Sequence, residues 1–323
     1  MSSTVNANNQ TFNGEDGRVD ENLTLDGNRN TVNAGGGDDT VELDGNRNEV
    51  NGGDGDDTVG VDGDRNKVNG GNGDDTVGVD GDRNTVDTGN GSDDVGIYGD
   101  RNTVDTGGGS DFIGVGGNRN DIDAGSGDDL LFVGGNRNDI DAGSGDDLLF
   151  VGGNRNDIDA GRGDDLIFVG PGSGNTVDAG AGDDIVNATL SRQVTVDGGN
   201  GDYYITGGFS SDTLTGGAGD DDINGRKGDD LIEGGKGADT LKGGLGADIF
   251  RFGKDAADGS VDLILDFTQG VDQLAIDRLG SYSTSDGGFT YDFSIGRNTL
   301  TIAFTTAVDL QASDFTDYGS TFV

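Results

Sequence analysis

Ala124-Gly125-Ser126-Gly127-Asp128-Asp129-Leu130-Leu131-Phe132 and Val133-Gly134-Gly135-Asn136-Arg137-Asn138-Asp139-Ile140-Asp141 are consecutive nonapeptides, and together they form one unit of a repeat. Each reads as a six-residue turn followed by a three-residue strand with one apolar centre. Side chains alternate along a strand, so Leu131 and Ile140 point inward and their neighbours outward. The unit recurs with a strict step. Arginine stands at Arg29, Arg47, Arg65, Arg83, Arg101, Arg119, Arg137 and Arg155, and aspartate between them at Asp39, Asp57, Asp75, Asp93, Asp111, Asp129, Asp147 and Asp165. A short fixed period held this long means one supersecondary unit stacked on itself.

The inward columns are consistent over eight copies: Val41, Val59, Val77, Val95, Ile113, Leu131, Leu149 and Ile167 on one strand, and Val32, Val50, Val68, Val86, Val104, Ile122, Ile140 and Ile158 on the other. Coils stacked about 4.8 Å apart then build two short parallel sheets around a thin core. The expected fold is all-β: a right-handed parallel β-roll or β-helix solenoid of 18-residue coils, two nonapeptides each, capped by a small C-terminal β domain. Residues 1–22 read as an N-terminal cap or lead-in and 23–197 as a roll carrying metal on one edge. Residues 198–252 read as a regular nonapeptide roll, and 253–323 as a C-terminal β cap with an export signal.

Composition narrows the chemistry. The 323 residues include 62 acids, 20 bases, 66 glycines, one proline, no cysteine and no histidine, for a net charge of −42. With 30% hydrophobic residues, such a chain would ordinarily be disordered. The regular Val, Ile and Leu spacing instead implies a core that is conditional on counter-ions, because self-repulsion of this size must be neutralised before the chain compacts. Divalent cations are expected partners; nucleic acid and anionic membranes are not. Without histidine or cysteine there is no His-ligated zinc, Ser-His-Asp triad, thiolate nucleophile or disulfide. No apolar run approaches the length of a membrane span. The start, Met1-Ser2-Ser3-Thr4-Val5-Asn6, reads as no cleavable signal peptide.

Five nonapeptides beginning at Gly207, Gly216, Gly225, Gly234 and Gly243, such as Gly234-Gly235-Lys236-Gly237-Ala238-Asp239-Thr240-Leu241-Lys242, resemble the repeats of the RTX (repeats-in-toxin) family of secreted calcium-binding proteins. Phe250-Arg251-Phe252, Asp262 to Phe267 and Gly270 to Leu274 resemble the C-terminal region of serralysin-type members. The resemblance implies that the sixth-position aspartate of one turn, with backbone carbonyls of that turn and the next on the same edge, holds Ca2+. The implied ligands are Asp39, Asp57, Asp75, Asp93, Asp111, Asp129, Asp147, Asp165 and, after a one-residue insertion near Pro171, Asp184. In the C-terminal set they are Asp212, Asp221, Asp230, Asp239 and Asp248. Calcium is hard, takes six or more oxygens and accepts carbonyls beside carboxylates. Asp38 and its equivalents, one residue earlier, are expected to face solvent.

The other edge departs from the family. Its sixth position is Asn30, Asn48, Asn66, Asn84, Asn102, Asn120, Asn138 and Asn156, so little calcium is expected there, and stacked amides are expected to bond along the axis instead. Arginine in these turns has two readings: satisfying turn carbonyls and offsetting a little of the negative field, or presenting guanidinium groups to a repetitive polyanion such as an acidic or sulfated glycan. Outward residues also change along the array. Thr40, Thr58 and Thr76 give way to Phe112 and then to Leu130, Phe132, Leu148, Phe150, Leu166 and Phe168. Such an apolar patch either contacts the last 70 or so residues or serves self-association. The opposite face gains Asp121, Asp123, Asp139, Asp141, Asp157 and Asp159, read as a solvated acidic face.

The chain end, Asp317-Tyr318-Gly319-Ser320-Thr321-Phe322-Val323, resembles an uncleaved signal for type I secretion and implies the type I machinery as a partner. The function expected is a secreted, extracellular or cell-surface calcium-binding protein of structural, matrix or adhesion type. It would fold on binding calcium outside the cell, with no enzymatic activity. The alternatives are an ice- or glycan-binding adhesin using a repetitive face, and a carbohydrate-active module. Against the last, the irregular stretch from Ala188 to Tyr204 offers only Asp197 and Asp202.

Overall fold

Each coil holds two strands because the sequence twice sets aliphatic residues at alternating positions between glycine-rich turns. The computed structural model describes residues 2–6, 8–14, 20–284, 286–295 and 297–316. The chain is an all-β parallel solenoid with coils of about 18 residues, and it divides into two compact units, 1–160 and 161–323. The expectation for Asp317 to Val323 lies outside the described residues.

In the first unit, strands Thr40–Asp44, Thr58–Asp62 and Thr76–Asp80 pair in parallel and in register, so that Val41, Val59 and Val77 stack. The second sheet stacks Val32, Val50, Val68 and Val86 through Thr31–Gly36, Glu49–Asp54, Lys67–Asn72 and Thr85–Asn90. Both columns are at most 1% exposed. Burying each such side chain contributes about 1.5–3 kcal/mol.

The strands of one sheet are longer than the three residues expected. Alternation runs on for two further positions, and it buries a second column: Leu43, Val61, Val79, Ile97, Val115, Val133 and Val151. Residues such as Val133 therefore belong to the core and not to the turn. The other sheet buries a second column of small side chains at Ala34, Thr88, Thr106, Ala124 and Ala142.

The turns stack as tightly as the strands. Gly127 has φ +130°, and a Cβ there would lie 1.6 Å from the Gly109 carbonyl oxygen of the preceding coil. Only glycine allows that approach.

The second unit repeats the plan. One sheet runs through Leu166–Val169, Ile185–Asn187, Tyr204–Thr206, Asp222–Lys227, Thr240–Leu245 and Val261–Ile264. The other runs through Asn175–Ala181, Val194–Asn200, Thr213–Ala218, Leu231–Lys236, Ile249–Phe252 and Gln273–Ile276. Strand Val261–Ile264 then pairs in parallel with Asn298–Phe304, which continues antiparallel to Thr290–Ile295 and Leu279–Thr284. This hairpin packs an aromatic cluster that includes Tyr282, Tyr291, Phe293, Phe304 and Phe315, and it extends the unit's own sheet. In the first unit the outward ladder Phe112, Phe132 and Phe150 forms a stack, with ring centroids 5.8 and 4.9 Å apart. Phe112 and Phe132 remain exposed.

Close stacking makes a paired prediction. Gly127→Ala should cost more than about 2 kcal/mol through clash and left-handed strain. Gly78→Ala, where a Cβ meets nothing within 4 Å, should stay within about 1 kcal/mol of the parent. Thermal unfolding of both in calcium checks this; equal midpoints would contradict the packing described.

Candidate metal centre

The sixth-position aspartates are polar residues in turns, yet every one expected as a ligand is at most 3% exposed. Backbone hydrogen bonding draws them in. In the first unit the backbone N–H of Asp39 donates to Asp57 Oδ1 of the next coil at 2.8 Å, and the same bond recurs from Asp57 to Asp75, Asp75 to Asp93, Asp93 to Asp111, Asp111 to Asp129 and Asp129 to Asp147, at 2.7–2.8 Å. One carboxylate oxygen is thereby committed to the fold.

The other oxygen has no such partner. Oδ2 of Asp39, Asp57, Asp75 and Asp129 in the first unit, and of Asp184, Asp221, Asp230 and Asp248 in the second, is buried without a hydrogen bond among the described residues. A buried, unpaired carboxylate oxygen is costly. Burial pushes the carboxyl of Asp57 up to about 6 and those of Asp75, Asp129, Asp221, Asp230 and Asp248 to about 7, against the lowering effect of the donated N–H.

These oxygens look toward carbonyls. A Cβ on Gly52 would lie 2.1 Å from Asp57 Oδ2 and 2.6 Å from the Gly70 carbonyl oxygen, and Gly216 stands likewise to Asp221 Oδ2 and Gly234. Two oxygens thus converge on space that glycine leaves open; in other coils Ala34, Ala124 or Ala142 puts a methyl there. Thr88 and Thr106 fill it with buried hydroxyls, which donate to the Thr106 and Ala124 carbonyls. Among the described residues no three carboxylates converge, so any bound cation would take most of its ligands from the backbone. That donor set of single carboxylates with carbonyls suits calcium better than a transition metal.

The asparagine edge of the first unit solves the same problem internally in several coils, while Nδ2 of Asn84, Asn102 and Asn120 is buried without a hydrogen bond among the described residues. Asn48 N–H donates to Asn66 Oδ1, and the bond repeats from Asn66 to Asn84 and onward to Asn156 at 2.7–2.9 Å. The second side-chain atom is now a donor. Nδ2 of Asn48, Asn66, Asn138 and Asn156 reaches carbonyls of Gly27, Gly45, Gly117 and Gly135. The buried ladder therefore runs from amide side chain to backbone, where stacking amide on amide was expected. Amide-to-amide bonds do occur one layer out, as from Asn136 to Asn118 and Asn154 to Asn136 at 2.8 and 2.7 Å. Asp38 and its equivalents are exposed as expected, but they also work: Asp38 Oδ1 accepts the Asp56 N–H and Asp56 Oδ1 the Asp74 N–H.

In the second unit the edges change. One carries Asp165, Asp184, Tyr203, Asp221, Asp239 and Asp262 at its sixth positions, the other Asn175, Val194, Asp212, Asp230, Asp248 and Asp272. Both edges are therefore acidic in the later coils. Asp212 differs from the rest, since its Oδ2 accepts the Gly208 N–H. Tyr203 takes an aspartate's place and sends its hydroxyl to the Gly180 carbonyl. Asp262 and Asp272 continue the columns but escaped the sequence reading, because they follow Asp239 and Asp248 by 23 and 24 residues and the period hides them.

A family model for the RTX calcium-binding nonapeptide repeat matches residues 25–59, 115–149, 132–167, 141–174, 172–190, 197–232 and 225–256, together just over half of the chain. The chain belongs to the RTX calcium-binding repeat family. Among solved structures, this RTX chain is similar to the AlgE6R3 subunit of the Azotobacter vinelandii mannuronan C5-epimerase, with 26% identity over 38% of this chain and 81% of that one and a TM-score of 0.31. The AlgE6R2 subunit of the same epimerase is 29% identical over 37% of this chain and 95% of that one, with a TM-score of 0.25. No curated protein matches the chain. No helix among the described residues is long and apolar enough to cross a membrane.

The raised carboxyls set a pH dependence. Each binds its proton more tightly folded than unfolded, so the metal-free roll keeps this contribution to stability below the ordinary aspartate value of 3.8 and loses it as pH rises through 6 to 7. Calcium must displace those protons. Calorimetric titration in buffers of different ionisation enthalpy should show proton release on calcium binding near pH 6 that fades above pH 8. Pure cation uptake without proton release at pH 6, from a chain that circular dichroism shows already folded before calcium is added, would contradict the burial described.

Proposed function

We propose that this RTX chain is a secreted, calcium-folded structural protein of the cell surface or extracellular matrix. Asp39, Asp57, Asp75, Asp93, Asp111, Asp129, Asp147, Asp165, Asp184, Asp212, Asp221, Asp230, Asp239 and Asp248 are the proposed ligand column. The observation that carries the reading is the set of buried Oδ2 atoms without a hydrogen bond among the described residues, at Asp39, Asp57, Asp75, Asp129, Asp184, Asp221, Asp230 and Asp248, with carbonyls close by where Gly52 and Gly216 leave space. Asp262 joins it on the same ground. A divalent cation would pair each oxygen with the carbonyls of its own and the neighbouring turn.

Export follows from the same electrostatics. Where calcium is scarce, a chain of net charge −42 carries unpaired carboxylates at the turns and stays extended; outside, ion binding supplies folding free energy. The structural role rests on how the chain is spent, since coils and the C-terminal hairpin occupy most of its length. Circular dichroism of the full chain should pass from a disordered to a β-rich spectrum as calcium is added, and return on chelation. A chain fully structured in excess chelator near neutral pH would overturn the proposal.

A further inference from the structure

The arginine column, Arg29 to Arg155, lies wholly in the first unit and is unexplained by metal binding or packing. All eight residues hold φ between +58° and +64°. That left-handed conformation costs a residue with a Cβ about 1–2 kcal/mol, and glycine or asparagine enters it more cheaply. The main chain has its reason there: Arg29 N–H donates to the Asn46 carbonyl of the next coil, and Arg47 N–H to Asp64. Neither bond needs an arginine side chain.

Asp100, held below its ordinary carboxyl value mainly by the N–H groups of Asn118, is also lowered by the charges of Arg101 and Arg119; the other side chains of the row have no visible role in the fold. All eight are exposed. None of the guanidinium groups makes a hydrogen bond or an ion pair among the described residues, so they do not satisfy turn carbonyls. Like charges repeated at the coil spacing of about 4.8 Å repel one another. A chain this acidic could relieve the repulsion with carboxylates in the adjoining ladder, yet that ladder is acidic only at Asp64, Asp82 and Asp100. Asn28, Asn46, Asn118, Asn136 and Asn154 are neutral. Near the N-terminal end the row lines a polar groove of about 510 Å³ formed by Arg29, Arg47 and Arg65 with Asn8, Asn9, Asn28, Asn46 and one carboxylate, Asp64, so that three guanidinium groups face a single acid.

We propose that this edge is a binding site for a linear acidic polysaccharide, whose carboxylate or sulfate groups lie along the row and pair with successive guanidinium groups. Arginine is weakly hydrated and forks onto oxyanions, which suits a site that takes one oxyanion per coil. The neighbouring asparagine amides supply donors to sugar hydroxyls. Duplex nucleic acid fits less well. Its phosphates repeat every 3.4 Å along a strand, out of step with the coils. The site needs the coils folded but none of the metal positions, so it can be tested apart from them.

The experiment is affinity measurement on the full, calcium-loaded chain with chondroitin sulfate, neutral dextran and single-stranded DNA as probes. Chondroitin sulfate should bind with an affinity that falls steeply with salt, and dextran should not bind. The triple variant Arg29→Gln, Arg47→Gln, Arg65→Gln should weaken binding at least tenfold, and the corresponding lysine variant by less, with calcium uptake and the β-rich spectrum unchanged in both. Absence of chondroitin sulfate binding by the parent, an unaltered affinity in the glutamine variant, or tighter binding of DNA would each overturn the assignment. Should the glutamine variant fail to fold, the salt dependence and dextran comparison on the parent still decide it.

Discussion

At the sixth position of the turns that carry aspartate or asparagine, one side-chain oxygen accepts the backbone N–H of the preceding coil, and the rest of the structure depends on what the second atom of that side chain can do. In asparagine it is an N–H donor that can meet a neighbouring carbonyl. In aspartate it is a second oxygen, which at Asp39, Asp57, Asp75 and Asp129 is buried without a hydrogen bond among the described residues. The two edges share one backbone and one ladder, yet one is partly closed by its own amides, at Asn48, Asn66, Asn138 and Asn156, and the other offers oxygens that a cation can take. A single change of atom, nitrogen for oxygen, separates a partly self-sufficient edge from a conditional one.

Much of this was legible because the period is exact. Val41 and Val32 and their repeats announced two parallel sheets, and Asp39 to Asp165 announced a column. What stayed hidden had physical causes. Leu43, Val61 and their repeats looked like turn residues, because a three-residue strand fits the nonapeptide frame; the alternation simply continues through them. Asp262 and Asp272 dropped out of phase where longer connections precede them. That both edges turn acidic in the later coils was legible in the nine-residue step from Asp212 to Asp248; that Asn175 and Val194 precede Asp212 on its edge needs coil-by-coil pairing to be seen. The asparagine ladder was foreseen, but its path through backbone N–H groups was not, since sequence gives no direction to a side-chain amide.

The two halves of the repeat therefore divide the labour. On the function proposed, acidic turns tie the fold to calcium. Neutral turns bond along the axis through their own amides, and the guanidinium groups beside them make no hydrogen bond or ion pair among the described residues, although Arg101 and Arg119 act on Asp100 through their charge. Glycine serves both, because the coils approach so closely that a side chain at Gly127 would overlap the carbonyl below.

The most direct test of this account is a crystal structure of the first unit's coils within the full chain grown in calcium, with anomalous scattering used to place the ions. The account predicts calcium density along the Asp39 to Asp147 edge and none along the Asn30 to Asn156 edge. Ions on both edges, or an acidic edge whose Oδ2 atoms find protein donors and bind no calcium, would contradict it.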